Sequence, residues 1–274
     1  YHPYGTLPAY LNPRSGWLLS ANQTVFDATV VEENIDPADF SATFGIEPRM
    51  TNRGHRGLEL LRAESSLSRE RLMQIKFDKS YSEHSAVARL MVEILALDVA
   101  GDPLLAEAQG LIRNWDLSTD IANRHAAIGV LTAVRCIGNR HHEDPWLMDP
   151  REALSAAAAE LMAHHGRLDP PWGEINRMVR GDVDMPLGGG PDVLRAVYGG
   201  QNGLNPDGRV PGVAGDTYIM AVEWSADGAM RSEAIHQYGS ATIDQTSPHF
   251  DDQAVLFARE EWRDIDWELA RPAQ

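Results

Sequence analysis

Ten histidines and 40 acidic residues among 274 make metal ligation the first chemistry to consider. His141-His142-Glu143-Asp144 offers four ligating types in a row. Consecutive side chains on an extended chain point to opposite sides, however, which suits a solvated loop better than convergent ligands. His164-His165 falls at the C-terminal end of a predicted helix, where positive charge and hydrogen bonds to free carbonyls favour a capping role. Asp116, Asp120 and the pair Asp251-Asp252 lack the glycine and terminal glutamate of an EF-hand loop. Gly188-Gly189-Gly190 could cradle a phosphate, but no Gly-Lys-Ser/Thr follows and no GxGxxG joins a strand to a helix, so a tight turn explains it. Nucleophilic catalysis finds no GxSxG elbow. The single cysteine, Cys136, sits in the apolar stretch Val134-Arg135-Cys136-Ile137 and reads as a small core hydrophobe. One cysteine also excludes an intramolecular disulfide and a multi-cysteine metal site built from this chain alone. Spacing by itself yields no catalytic site.

Longer strings carry more. Asn12-Pro13-Arg14-Ser15-Gly16-Trp17-Leu18 runs into Ser20-Ala21-Asn22, and Met50-Thr51-Asn52-Arg53-Gly54-His55-Arg56 leads into Leu58 and Leu60-Leu61. Further on come Trp172-Gly173-Glu174-Ile175-Asn176-Arg177 with Pro186-Leu187-Gly188-Gly189, then Tyr238-Gly239-Ser240 with Ser247-Pro248-His249-Phe250-Asp251-Asp252-Gln253. In this order they resemble the NPxSG segment closed by an asparagine, the arginine-bearing helix start, the WGxxxR…PLGG passage and the YG…SPHxxDQ signature of the β chain of the penicillin acylase family. That family is a branch of the N-terminal nucleophile hydrolases, and the last string points to its acyl-homoserine lactone and aculeacin acylase side.

The resemblance implies amide hydrolysis by an N-terminal serine whose own α-amino group is the base, directly or through water. An α-amine with a pKa near 8 is partly neutral at ordinary pH and suits that role. Asn22 corresponds to the asparagine whose side-chain amide stabilises the oxyanion, and Arg53 to the arginine that organises the site and faces the polar end of the substrate, with Arg56 the neighbouring alternative. Arg53 has a structural rival role in pairing with Glu47 or a helix terminus, while Ser247-Pro248-His249 reads as a turn and Trp172 and Trp224 as core or pocket wall. The family nucleophile must be residue one of its chain, and residue one here is Tyr1. The implied partners are therefore the remaining β-chain segment with the N-terminal serine and the α chain of the same precursor; this chain, the C-terminal part of a β chain, is expected to be inactive alone. No cofactor is required. Relatives on the penicillin G side hold a structural calcium, and Asp39 lies in the corresponding region. The resemblance also implies export to the periplasm or beyond.

The elements that must position these residues are expected in an α+β arrangement, part of a four-layer αββα fold with a central helical insertion and C-terminal antiparallel strands. Residues 1–50, rich in Pro, Asn, Gly and Thr, read as loops around a short strand at Trp17-Leu18-Leu19. Residues 51–166 read as four to six helices. One carries the stripe Ala86, Val87, Leu90, Met91, Ile94, Leu95; two others open on Asp102-Pro103 and Asp149-Pro150, the second closing at Gly166; a further one is expected over Thr119–Arg135 behind Ser118. Residues 167–274 read as a strand-rich return to the catalytic sheet, with a hairpin of Asp216–Ser225 and Met230–Tyr238 around Asp227-Gly228.

Composition limits the partners. With 43% hydrophobic and 23% charged residues the chain can bury a core, and no run of 18 apolar residues is present to span a membrane. A net charge of −16 argues against duplex nucleic acid and anionic membranes as partners. Two lysines, Lys76 and Lys79, against 22 arginines carry no mechanistic meaning. The favoured partner is a small-molecule acyl amide such as an N-acyl-homoserine lactone or a β-lactam side chain. The reading from a different class is a non-catalytic acidic binding or scaffold module, which an upstream serine following a small residue would rule out.

Overall fold

The computed structural model of the chain describes residues 3–138, 146–199 and 203–265. His141-His142-Glu143-Asp144 and Tyr1 lie outside the described residues. Five of the helices start where the sequence supplies a side-chain acceptor for the free N–H groups of a first turn. Helix α1 (Asn52–Arg62) opens on Thr51, whose Oγ1 accepts from the Gly54 N–H at 2.9 Å. Ser68 and Ser85 act the same way for α2 (Arg69–Lys76) and α3 (Ala86–Leu95). Asp102 caps α4 (Pro103–Arg113). After α5 (Ala126–Ile137), Asp149 caps α6 (Pro150–His165), its Oδ1 accepting from the N–H groups of Arg151 and Glu152 at 2.9 and 3.2 Å. Gly166 closes α6 in the left-handed region at φ 65°. Asp149→Ala should cost about 1 kcal/mol of stability, read as a lower denaturant midpoint, whereas Asp149→Ser should recover most of it. Equal losses for both would place the effect elsewhere.

The core lies between α3, α4, α5 and α6. Leu90 and Ile94 of α3 meet Ile112 of α4, Ile128 and Leu131 of α5, and Leu154 and Leu161 of α6, all at most 3% exposed. Helix α5 is apolar on nearly every face because it is the enclosed one. Cys136 belongs to this core at 1% exposure, and burial pushes its thiol up to about 12, so it is inert at ordinary pH.

Past α6 the chain turns to short strands. A single helical turn, α7 (Trp172–Ile175), leads into β1 (Asn176–Arg180), which pairs antiparallel with β2 (Val183–Pro186). Next come β3 (Val197–Tyr198), β4 (Val210–Pro211) and β5 (Ala214–Gly215); β4 joins β1 in parallel and β5 pairs antiparallel with β3. The expected hairpin is β6 (Tyr218–Trp224) with β7 (Met230–His236), in register from Tyr218 opposite His236 to Trp224 opposite Met230. Helix α8 (Ala254–Arg259) then brings β8 (Arg263–Asp264) to the other edge of β7. The chain is thus α+β, as its pattern predicts.

Three expectations change. Trp17-Leu18-Leu19 is not a strand: Leu19 shares one backbone bond with Ala28, while side chains take the carbonyls a ladder would need, Thr29 Oγ1 donating to Trp17 and Gln23 Nε2 to Leu19. The helix expected from Thr119 starts only at Ala126. Ser118 is engaged in turns, its N–H held by Asp116 Oδ1 and its Oγ accepting from the Asp120 N–H, while Thr119 bonds Lys79 through both its N–H and its hydroxyl. Trp224, at the end of β6, is 66% exposed and lies outside the core, whereas Trp172 is a core residue at 2%. Among the described residues no helix is long and apolar enough to cross a membrane.

Candidate active site

Asn22 and Arg53, 31 positions apart in sequence, meet in the lining of a cleft of about 1020 Å³. The loop carrying Asn22 is braced from within: Gln23 Oε1 accepts from the Ala21 N–H, and Gln23 Nε2 donates to the carbonyls of Leu19 and Asp27. It is also braced from α1, where Thr51 Oγ1 donates to the Ala21 carbonyl at 2.9 Å. The contact is close because position 54 is glycine; a Cβ there would lie 2.7 Å from Gln23 Cβ. Asn22 itself sits at φ 63°, a left-handed conformation that asparagine tolerates better than most residues.

Arg53 Nη2 donates to Asn22 Oδ1 at 2.9 Å. A guanidinium has donors and no acceptors, so this bond settles which end of the amide faces it: the oxygen turns to Arg53 and the Nδ2 group is left to donate elsewhere. Among the described residues Nδ2 has no partner, and Asn22 lines the cleft. That is the chemistry of an oxyanion donor. Arg53 Nε is held in turn by Asp192 Oδ1 at 2.9 Å, an ion pair in place of the alternative with Glu47, which pairs with Arg49. Arg56 points away and binds Asp78 through Nε and Nη2 at 3.0 Å each. Of the two arginines, only Arg53 reaches Asn22.

Asp192 has no place in the sequence-level site. It follows the glycine run, and its weight appears only in three dimensions: Oδ2 accepts from the Asn52 N–H at 2.7 Å, and its carbonyl accepts from Asn52 Nδ2 at 2.7 Å. The usable signal was composition, an aspartate three residues past the Pro-Leu-Gly-Gly string. The glycine run allows this approach. Gly189, at φ 102°, packs so near Arg195 that a Cβ would fall 2.3 Å from its carbonyl oxygen, and Trp172 Nε1 donates to the Gly189 carbonyl at 2.8 Å.

The remaining sequence candidates lie apart from Asn22. His165 Nε2 meets the Gly208 carbonyl at 2.9 Å, so this histidine ties α6 to a neighbouring loop rather than capping its own helix. His249 Nδ1 meets Asp252 Oδ2 at 3.0 Å on the surface, within a turn begun by Ser247. Among the described residues no three His, Cys, Asp or Glu side chains form a metal-ligating group.

Two histidines do line the cleft: His55, one turn into α1, and His84, with ring centroids 6.1 Å apart. Burial, reinforced by the electrostatic influence of the neighbouring His84, lowers the His55 pKa against the opposing pull of Glu59, Asp27 and Asp192. An unfolded chain then takes up this proton before the folded one, so stability is present above the ordinary value near 6.5 and is lost as pH falls below it. Between pH 8 and pH 5 the parent should lose more stability by denaturant titration than His55→Gln. Equal losses would remove His55 as the cause.

A family model described as Penicillin amidase matches residues 1–271. The acyl-homoserine lactone acylase PvdQ of Pseudomonas fluorescens Pf-5 is 30% identical over 112 residues, which is 41% of this chain and 14% of that protein. Its namesake in Pseudomonas syringae pv. syringae is 21% identical over 231 residues, 75% of this chain and 29% of that protein. A third, from Pseudomonas savastanoi pv. phaseolicola, is 24% identical over 165 residues, 59% of this chain and 20% of that protein. The matched part of the chain thus spans 29% or less of the length of these curated relatives. With the family model running across nearly its whole sequence, the chain belongs to the penicillin amidase family.

Proposed function

We propose that this chain is one part of an acylase that hydrolyses an acyl amide, and that Asn22 supplies a donor to the oxyanion while Arg53 holds it in place. The observation that carries the reading is the Arg53-clamped amide of Asn22, whose Nδ2 is left to donate at a cleft. The nucleophile in this proposal is a serine at the start of the β chain, outside the present sequence. Its Oγ bonds to the amide carbon as its proton passes to its own α-amine; the carbonyl oxygen becomes the oxyanion; the amine departs with that proton, and water then releases the acid and regenerates the serine. The sheets described here belong, on this reading, to a four-layer αββα fold completed by that β-chain segment and by an α chain from the same precursor, in the periplasm or outside the cell.

N-acyl-homoserine lactones are the first substrates to try, because three relatives carry that activity in their names. A phenylacetyl anilide covers the β-lactam side of the family. The complete protein should release free amine from at least one of them, and Asn22→Ala should abolish nearly all of that release. Full activity in Asn22→Ala would refute the role.

A further inference from the structure

Asn22 is held by Arg53, and Arg53 must itself be held. We infer that Asp192 is a positioning residue for amide hydrolysis, acting through Arg53 to aim the Asn22 amide; this rests on the oxyanion role proposed for Asn22. The carboxylate bridges two consecutive residues of α1. Oδ1 accepts from Arg53 Nε at 2.9 Å, and Oδ2 accepts from the Asn52 N–H at 2.7 Å. Both bonds come from the first turn of the helix, where N–H groups have no intrahelical partner and a negative charge is favoured. The Asp192 carbonyl adds a third bond from Asn52 Nδ2. Asn52 Oδ1 in turn accepts from the Ser82 N–H at 2.7 Å, so the anchor reaches the loop before α3.

This geometry has a direct consequence for Arg53. Its long side chain has several rotatable bonds, and the single bond to Asn22 would not fix it. Gripped at Nε by Asp192, the planar fork presents Nη2 to Asn22 Oδ1 in one orientation. Asp192, Arg53 and Asn22 then form a line of charge-assisted bonds that ends at Nδ2, which has no partner among the described residues. Three separate segments meet in it: the loop after the glycine run, the start of α1 and the loop before residue 27. Asp192 adopts φ 57°, so the backbone there is held out of the ordinary regions by this arrangement.

Asp192→Asn is the informative variant, because asparagine keeps the size and tolerates the same φ, and its one side-chain oxygen cannot satisfy both donors. In the complete protein, assayed with N-octanoyl-homoserine lactone and a phenylacetyl anilide, kcat should fall on the order of 10-fold with KM changed less than about 2-fold. The deciding measurement is the cycle with Asn22→Ala. If Asp192 acts through Asn22, adding Asp192→Asn to Asn22→Ala should change kcat by less than about 2-fold. An equal fall in both backgrounds, or no fall in either, overturns the positioning role while leaving that of Asn22 intact. Wild-type turnover in Asn22→Ala alone overturns the oxyanion reading and this inference with it. Arg53→Lys gives an arm independent of how well Asp192→Asn folds: an ammonium lacks the fork that spans Asp192 and Asn22, so it should lose kcat to a similar extent. Unchanged kcat in Arg53→Lys would also overturn the inference.

Discussion

Asn22→Ala in the complete protein should lower turnover by about 10²–10³-fold while leaving substrate affinity nearly unchanged. The asymmetry follows from when the bond is needed. A neutral carbonyl oxygen gains little from one more donor, whereas the tetrahedral intermediate carries a full negative charge at that atom. Alanine also sits poorly at the φ of 63° that position 22 requires, so part of any loss could come from the loop. Asn22→Asp separates the two causes. Aspartate accepts the left-handed backbone and can still bind Arg53, but it has no N–H to give and would place a negative charge beside the oxyanion. Turnover should fall at least as far as in Asn22→Ala, with the denaturant midpoint unchanged. Retention of activity by Asn22→Asp would mean that the oxyanion is stabilised by other groups.

Trp172→Ala should cost about 3–5 kcal/mol, seen as a large fall in denaturant midpoint with an unchanged slope. Trp172 is among the largest fully buried side chains, and its environment leaves little room for collapse, since its neighbours belong to helices and to the glycine run. The ring also does something specific. Its Nε1 donates to the Gly189 carbonyl, to which Asn176 Nδ2 donates as well, at 3.3 Å. Its backbone N–H, and that of Gly173, bond the carbonyls of Asn123 and Ile121. These bonds fasten the segment that leads to Asp192, so the destabilised protein should also lose turnover. Trp172→Phe keeps most of the apolar area and removes the donor; with Asn176 still serving Gly189, the cost should be near 1 kcal/mol. A cost of less than 1 kcal/mol for Trp172→Ala would contradict the burial argument.

Much of the helical part was legible because its signals are local. Asp-Pro pairs at 102–103 and 149–150 stop an incoming chain and supply its cap within three residues, and the stripe beginning at Ala86 needs only the period of a helix. The Asp227-Gly228 turn set the hairpin for the same reason. The misreadings are places where distant groups compete with local pattern. Ser118 carries the right side chain for a helix cap, but Asp116, Asp120 and Lys79 engage it and its neighbour in turns, so α5 begins at Ala126 instead of Thr119. Trp17-Leu18-Leu19 has strand composition, yet Thr29 and Gln23 side chains occupy its carbonyls.

For the site, residue types and their ordered strings were enough to point to Asn22 and to an arginine at the start of α1, Arg53 with Arg56 as its alternative, and to connect the chain with its family. They could not choose between Arg53 and Arg56, since both lie at the start of one helix and either could turn toward the loop. Nor could they show Asp192, 139 residues beyond Arg53 and without a motif of its own for ion pairing. Those decisions depend on which side chains end up within 3 Å of each other, and a bond of that kind is set by the packing of three loops against α1. The sequence by itself therefore determined the amide and the guanidinium available, together with the helix that carries the guanidinium. Only the tertiary structure decided that these stand in line with the Asp192 carboxylate, because the orientation of Asn22 is imposed by a donor that approaches from another part of the chain.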